Sequence, residues 1–143
     1  MTPWVSFEGA IPTNSVDRVF CSHFFEHIPA GPQRIAVMNE AWRVLKPGGR
    51  FDMVLPLVGY TDEGGSGHLV QGWQPWADPT HVGYWWFPES LLYFCEGPFK
   101  PLADYGISIW KQLGQFCEDP FTAEDGGWYV RDGWEGKASL IKP

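Results

Sequence analysis

The spacing of apolar residues predicts a strand and then a helix near the start of the chain. Val16, Val19 and Phe20, set among short polar neighbours, indicate a strand from about Asp17 to Ser22. A turn with two prolines follows. Apolar residues then recur at spacings of three, four and three, which defines one face of a helix: Ile35, Met38, Trp42 and Leu45.

The residues after this helix predict its end and the start of a second strand. Pro47 disfavours helical geometry in Lys46, and the Gly48-Gly49 pair permits a left-handed C-terminal turn. The run Phe51–Leu55 is mostly apolar and of strand length, which is typical of a strand covered on both faces. Strand, helix and strand form one βαβ unit, so the two strands should be parallel with a right-handed crossover.

The rest of the chain predicts one long loop and then short elements. Residues 57–80 are rich in glycine and are expected to form a loop of the length that is usually functional or disordered. Beyond it the pattern predicts a short helix and three strands: Pro88 to about Cys95, Ile107–Phe116, Trp128–Val130 and Lys137–Ile141.

Composition and charge exclude several classes of protein. The 143 residues, 44% apolar and 19% charged, fit one folded domain rather than a disordered tail. A net charge of −7 argues against binding to DNA or RNA, which needs clustered positive charge. No apolar run reaches the ~18 residues of a membrane helix, and no secretory leader is visible. Three scattered cysteines fit neither a disulfide framework nor a Cys-x-x-Cys zinc site, so a cytoplasmic location is expected.

Three segments resemble the second half of class I S-adenosylmethionine-dependent methyltransferases, in the branch that acts on small molecules. They are the strand and Glu-His turn at 16–28, the Arg-Val-Leu-Lys-Pro-Gly-Gly-Arg box at 43–50, and the strand Phe51–Pro56. Asp78–His81, Phe87–Leu91 and Ala138–Pro143 also resemble later segments of that family. The resemblance implies an α/β fold: a partial Rossmann-like sheet of about four strands, with the first pair parallel and a terminal antiparallel hairpin.

The sequence departs from that family at its start. It contains no G-x-G-x-x-G turn, whose backbone N–H groups would hold the cofactor. Glu63–Gly67 has an acidic-x-Gly-x-Gly spacing, but it follows the wrong strand and is interpreted as a flexible loop. We therefore expect a single truncated methyltransferase-like domain over residues 1–143, with an N-terminal arm at 1–14. We expect such a chain to be either a fragment or a short relative that has lost or outsourced that half. S-adenosylmethionine is the expected cofactor of a competent protein, and a chain that is complete as given is expected not to bind it by itself.

The missing half changes the surroundings of the strand at 17–22. In the family's sheet this strand lies against the first strand, so here it becomes an edge with unpaired N–H and C=O groups. We expect the edge to be covered by a second copy of the chain in a homodimer, by the Met1–Ile11 arm or by a partner chain.

The resemblance also implies roles for residues after this strand. Cys21, Ser22 and His23 would face the methionine and methyl end of S-adenosylmethionine. Glu26 and His27 would be catalytic, and His27 would take a proton from a small-molecule acceptor because imidazole titrates near neutral pH. The alternative is an ordinary turn in which Glu26 and His27 make only structural hydrogen bonds.

The segment from 73 to 87 is dense in aromatic residues. Trp73, Trp76, His81 and Trp85 are the candidate walls of an acceptor pocket. The alternative is that the aromatic side chains pack beneath the long loop. Asp78 and His81 would form a polar pair or half of a metal site; the polar pair is preferred, and no metal site is assigned.

Two functions of other classes stay open. One is a non-catalytic interaction or regulatory module that uses the sheet edge and the aromatic loop. The other is a zinc peptidase, because His23, Glu26 and His27 spell H-x-x-E-H, with two histidine ligands and a glutamate base. That arrangement needs a continuous helix through both histidines and a third ligand downstream.

Overall fold

The computed structural model describes residues 10–71, 77–99 and 105–143. These residues form seven strands, two α-helices and one 3-10 turn. In chain order they are β1 Val16–Ser22, the 3-10 turn Phe25–His27, α1 Pro32–Val44, β2 Leu45–Pro56, β3 Gly59–Thr61, β4 Gly67–Leu69, β5 Trp86–Phe87, α2 Glu89–Leu92, β6 Gly127–Arg131 and β7 Glu135–Ile141. Within the described ranges, no helix is long and apolar enough to cross a membrane.

The main sheet has the strand order β1-β2-β7-β6. β1 pairs with β2 in parallel, and β7 is antiparallel to both β2 and β6. Because β7 is antiparallel, it begins at the end of the sheet where β1 and β2 finish, and Pro56 lies opposite Glu135. The predicted α/β fold with a parallel first pair and a terminal antiparallel hairpin is confirmed.

Residues 46–49 were predicted to separate the helix from the second strand, but in the structure they belong to that strand. α1 ends at Val44 and β2 starts at once, because Leu45 already has extended geometry. Leu45 lies opposite Val16, but the next register pair is Arg18 and Arg50, so the Lys-Pro-Gly-Gly residues bulge out of the β1–β2 ladder. Position 49 needs a glycine, because a Cβ there would lie only 2.8 Å from the Lys46 carbonyl oxygen.

The apolar core lies between α1 and one face of the main sheet and continues under the aromatic segment. Met38 and Leu45 of the predicted helical face are fully buried, whereas Ile35 and Trp42 are only partly buried. From β2, Phe51 stacks on the buried ring of Trp110 at a centroid distance of 5.6 Å. The predicted helix is confirmed, and it ends at Val44, one residue before Leu45.

The opposite face of the sheet carries three charged side chains, Arg18, Arg50 and Asp52. Arg18 donates to the carboxylate of Asp52 at 2.6 Å, although Asp52 is almost completely buried. Arg50 donates to the carbonyl oxygens of Pro120 at 2.9 Å and Ala123 at 2.6 Å. A loop between the aromatic segment and β6 covers this face through these arginine hydrogen bonds and through Phe121, whose ring packs edge to face on Phe20 at a centroid distance of 6.0 Å.

The predicted long loop over 57–80 needs correction, because part of it is regular structure. β3 and β4 form a hairpin, and β5 adds to β3 in parallel, giving a second sheet of order β4-β3-β5. Asp62 fixes the turn by accepting hydrogen bonds from the backbone N–H groups of Gly64 and Ser66 and by pairing with His68 at 2.7 Å. The His68 hydrogen bond is the main reason that the pKa of Asp62 is lowered.

The strand predicted over 107–116 is also wrong. Within that range the structure has only isolated bridges, from Trp110 to Cys95 and from Phe116 to Trp128. The backbone changes partner along its length: Trp110 donates to Phe94, and Lys111 then donates to Ile141. No continuous ladder forms, because each partner belongs to a different part of the fold. The predicted helix from Pro88 is real but shorter, since α2 ends at Leu92.

Candidate functional site

A cavity of about 360 Å³, with five ionisable side chains in its wall, opens at the end of the main sheet where β1 and β2 finish. Open α/β sheets bind ligands at the carboxyl ends of their strands, so the position is the expected one. Four separate stretches of chain contribute to its wall: His23, Glu26, His27, Pro56, Asp78, His81 and Trp134. Three of the four histidines in the sequence converge here.

His23 occupies the residue after β1 and has a backbone φ of 54°. This left-handed conformation is uncommon for residues other than glycine. Its side chain lies between two carboxylates: Nε2 is 3.0 Å from Glu135 and Nδ1 is 3.5 Å from Glu26. Glu135 is also paired with Arg131. The sharp turn thus brings the imidazole back over the strand ends.

Glu26 and His27 are held by the 3-10 turn that follows. Glu26 is only 3% exposed, and its Oε1 has no hydrogen-bond partner among the described residues. His27 is largely exposed, and its Nε2 lies 3.9 Å from the other carboxylate oxygen of Glu26. A buried, partly unsatisfied carboxylate beside an imidazole is costly to fold and is more typical of a functional site than of a packing contact.

The loop before β5 carries Asp78 and His81 to the same place. The backbone N–H groups of Val82 and Gly83 both donate to the Glu26 carbonyl oxygen at 2.8 Å, which fixes the loop against the 3-10 turn. The two imidazole rings of His27 and His81 meet edge to face at a centroid distance of 5.0 Å.

Asp78 is held in the same loop by its own neighbour. Its Oδ1 accepts hydrogen bonds from the hydroxyl and the backbone N–H of Thr80. These bonds are the main reason that the pKa of Asp78 is lowered, so its carboxylate faces His81 in the ionised form.

The residues predicted to contact the cofactor separate in the structure. His23 lies in the cavity, and Ser22 is exposed at the end of β1. Cys21 lies on the other side of the strand, in an apolar groove beside α1. Burial raises the pKa of the Cys21 thiol to about 11, so the group is a neutral thiol at physiological pH.

The residues predicted as pocket walls also separate. His81 lines the cavity. Trp85 is completely buried, and its ring packs against Phe25 at a centroid distance of 5.3 Å and lies under Arg34 at 4.1 Å. Trp73 and Trp76 lie outside the described residues.

Sequence reasoning missed Pro56 at the end of β2 and two residues of the β6–β7 hairpin, Trp134 and Glu135. Trp134 and Glu135 come from the turn and first residue of that hairpin, more than a hundred residues from His23. Only the antiparallel insertion of β7 beside β2 places them here, and the sequence alone gives no signal for that contact.

The helix required by the zinc-peptidase alternative is not found at His23–His27. His23 is outside the 3-10 turn, which comprises only Phe25–His27. Instead of sharing a helical face with His27, His23 turns toward Glu135.

Comparison with known proteins gives one family match. Residues 6–53, about a third of the chain, match the family model described as a methyltransferase domain. The match includes all of β1 and α1 and continues into β2. No curated protein gives a significant match.

One solved structure aligns with most of the chain. It is described as a possible exported protein from Bordetella parapertussis, with a TM-score of 0.41 and 14% identity. The alignment covers 93% of this chain and 41% of that one, so this chain spans about two fifths of that protein's length.

Proposed function

We propose that this chain is the second half of an S-adenosylmethionine-dependent methyltransferase domain acting on a small-molecule acceptor. The observation that carries the proposal is that the methyltransferase match includes β1, α1 and most of β2, the unit at whose strand ends the cavity opens. The net negative charge and the cavity volume of about 360 Å³ favour a small molecule over a polynucleotide.

The described residues offer groups for only one end of the cofactor. Ser22 and His23 are exposed at the strand end and would face its methionine and methyl end, whereas the Gly-rich turn for its adenosyl part is not in this sequence. When bound, S-adenosylmethionine supplies an electrophilic methyl group on a sulfonium. The residues that line the cavity would position the acceptor and take up its proton.

The chain's own contribution is positioning and one proton transfer. A nucleophilic oxygen or nitrogen of the acceptor would attack the methyl carbon directly, without a covalent intermediate on the protein. His27 would receive the acceptor's proton at Nε2, since its Nδ1 is already engaged by the Thr80 carbonyl oxygen at 3.1 Å. The buried carboxylate of Glu26 would stabilise the imidazolium that forms.

Nuclear magnetic resonance titration with S-adenosylhomocysteine tests the cofactor end. We expect millimolar binding, with amide shifts at residues 21–23, because half of the cofactor's contacts are absent from the chain. Ser22→Phe should abolish the shifts by filling the exposed strand end, and Ser66→Phe, on the distant hairpin turn, should leave them unchanged. Absence of shifts at 21–23, or equal shifts in both variants, would overturn the cofactor placement.

A second proposal concerns the edge strand β1, which pairs only with β2 among the described residues. Phe20 is 51% exposed on it, and no charged side chain lies at positions 19–22. We propose that a second copy or a partner chain pairs with this edge and completes the sheet. Light scattering should then give a mass above one chain, with slow amide exchange at Val19–Cys21; a monomer with fast exchange there would contradict it.

A further inference from the structure

The cavity contains three side chains with the spacing of metal ligands. One ligand atom from each of Glu26, His27 and His81 lies within 4.8 Å of the other two. Bonds of about 2.0–2.2 Å to a shared ion would require these atoms to approach to about 3.4 Å, which small side-chain rotations can provide. The three residues come from two stretches of chain. Backbone hydrogen bonds from Val82 and Gly83 to the carbonyl oxygen of Glu26 hold the two stretches together.

Hydrogen bonding leaves His27 with a nitrogen suited to a metal. Its Nδ1 lies 3.1 Å from the Thr80 carbonyl oxygen, which can only accept a hydrogen bond, so Nδ1 carries the proton. In the neutral ring the lone pair is then on Nε2, which faces Glu26. A backbone carbonyl on the distal ring nitrogen is the usual support of a metal-binding histidine.

In His81 the roles of the two ring nitrogens are exchanged: Nε2 is the nitrogen beside an acceptor, and Nδ1 is the one left for a metal. Its Nε2 lies 3.5 Å from a carboxylate oxygen of Asp78. Its Nδ1 is buried and has no hydrogen-bond partner among the described residues. A carboxylate behind a histidine fixes the ring and makes the free nitrogen a stronger donor.

Glu26 completes the set with an anionic oxygen. Its Oε1 is buried and unpartnered within the described part of the chain, which costs free energy unless a cation or a donor satisfies it. The nearby Glu135 is already neutralised by Arg131, so Glu26 and Asp78 leave the cavity with an excess of negative charge.

We propose that Glu26, His27 and His81 bind a divalent transition-metal ion, for which Zn²⁺ is the probe. Two imidazoles and one carboxylate select such an ion over Mg²⁺ and Ca²⁺, which prefer oxygen ligands. Three protein ligands leave one position of a tetrahedral ion open to the cavity, where water or an oxygen of a small molecule binds. This ligand set differs from the H-x-x-E-H pattern, because His23 faces Glu135.

Calorimetry and metal analysis on the full chain test the site. We expect one Zn²⁺ per chain, with affinity reduced about a hundredfold or more in Glu26→Gln and in His81→Asn. His68→Asn is the matched control, because His68 does not line the cavity and pairs with Asp62 on the β3–β4 hairpin. It should bind Zn²⁺ like the wild type. Asp78→Asn should weaken binding about 10- to 100-fold, as expected for a residue that orients a ligand.

A second measurement uses only the wild-type chain, so a variant that fails to fold cannot affect its result. Addition of Zn²⁺ to the wild-type chain should shift the imidazole ¹⁵N resonances of His27 and His81 and leave those of His68 unchanged, whereas Mg²⁺ should shift none of them. No stoichiometric Zn²⁺, or equal affinity in His81→Asn and His68→Asn, would overturn the proposal. The ion and the acceptor's proton would compete for the Nε2 lone pair of His27, so a metal-bound chain could not use His27 as the base of the proposed methyl transfer. The zinc titration itself needs no S-adenosylhomocysteine, so its outcome is read separately from that proposal.

Discussion

Replacing Trp85 with alanine is expected to lower the free energy of unfolding by about 4 kcal/mol. The indole is completely buried among Phe25, Phe87 and Phe94, so its removal leaves a cavity between the aromatic segment and the main sheet. Arg34 would also lose the ring over which its guanidinium lies, and burial already lowers the pKa of that group to about 10. Urea denaturation followed by circular dichroism measures the change.

The neighbouring Tyr84 provides the control for Trp85. Its side chain is 47% exposed, so Tyr84→Ala should change the free energy of unfolding by less than about 1 kcal/mol. The comparison also separates packing from binding. If Trp85→Ala weakened binding of an acceptor while stability stayed at the wild-type value, Trp85 would be a wall of the acceptor pocket and the core assignment would be wrong.

Gly83→Ala is expected to destabilise the chain by about 3 kcal/mol and to remove zinc binding. A Cβ at position 83 would overlap the carbonyl oxygens of Phe25 and Ile28, so the loop would have to move away from the 3-10 turn. The two hydrogen bonds from Val82 and Gly83 to Glu26 would break with it. His81 would then leave Glu26 and His27.

The matched substitution is Gly64→Ala in the β3–β4 turn. The nearest atom to a Cβ there is Asp62 Oδ1 at 3.4 Å, an ordinary contact, so neither stability nor zinc affinity should change appreciably. Calorimetry of unfolding and of Zn²⁺ binding gives both quantities for each variant. Wild-type zinc affinity in folded Gly83→Ala would show that the loop contact does not position His81.

The βαβ unit was predictable because it is encoded locally. The 3-4-3 spacing of apolar residues fixes α1, and Pro47 with the glycines fixes where it ends, to within two residues of the structure. The second sheet was not predictable in the same way. β5 has two residues, and β3 begins at Gly59, where a side chain would overlap the ring of Trp86. Gly59 is needed in β3 for close packing against Trp86, but in the sequence a glycine there suggests a loop.

The candidate site was predictable only in part, for a related reason. His23, Glu26 and His27 are close in sequence, and their position after a strand identifies them. Joining them to His81 depends on backbone hydrogen bonds to the Glu26 carbonyl oxygen, and joining them to Glu135 depends on strand order. Neither contact leaves a trace in residue spacing, so Asp78 and His81 look like an isolated pair in the sequence.

The position of β7 has a consequence for biosynthesis. Residues 135–141 leave the ribosome after every strand of the main sheet with which they pair, yet they insert between β2 and β6. Until then the edge of β2 that β7 later covers stays open, and α1 covers only one face of the β1–β2 pair. A nascent chain paused in that state exposes strand edges to other polypeptides, so its dependence on chaperones should exceed that of a domain whose inner strands are translated first.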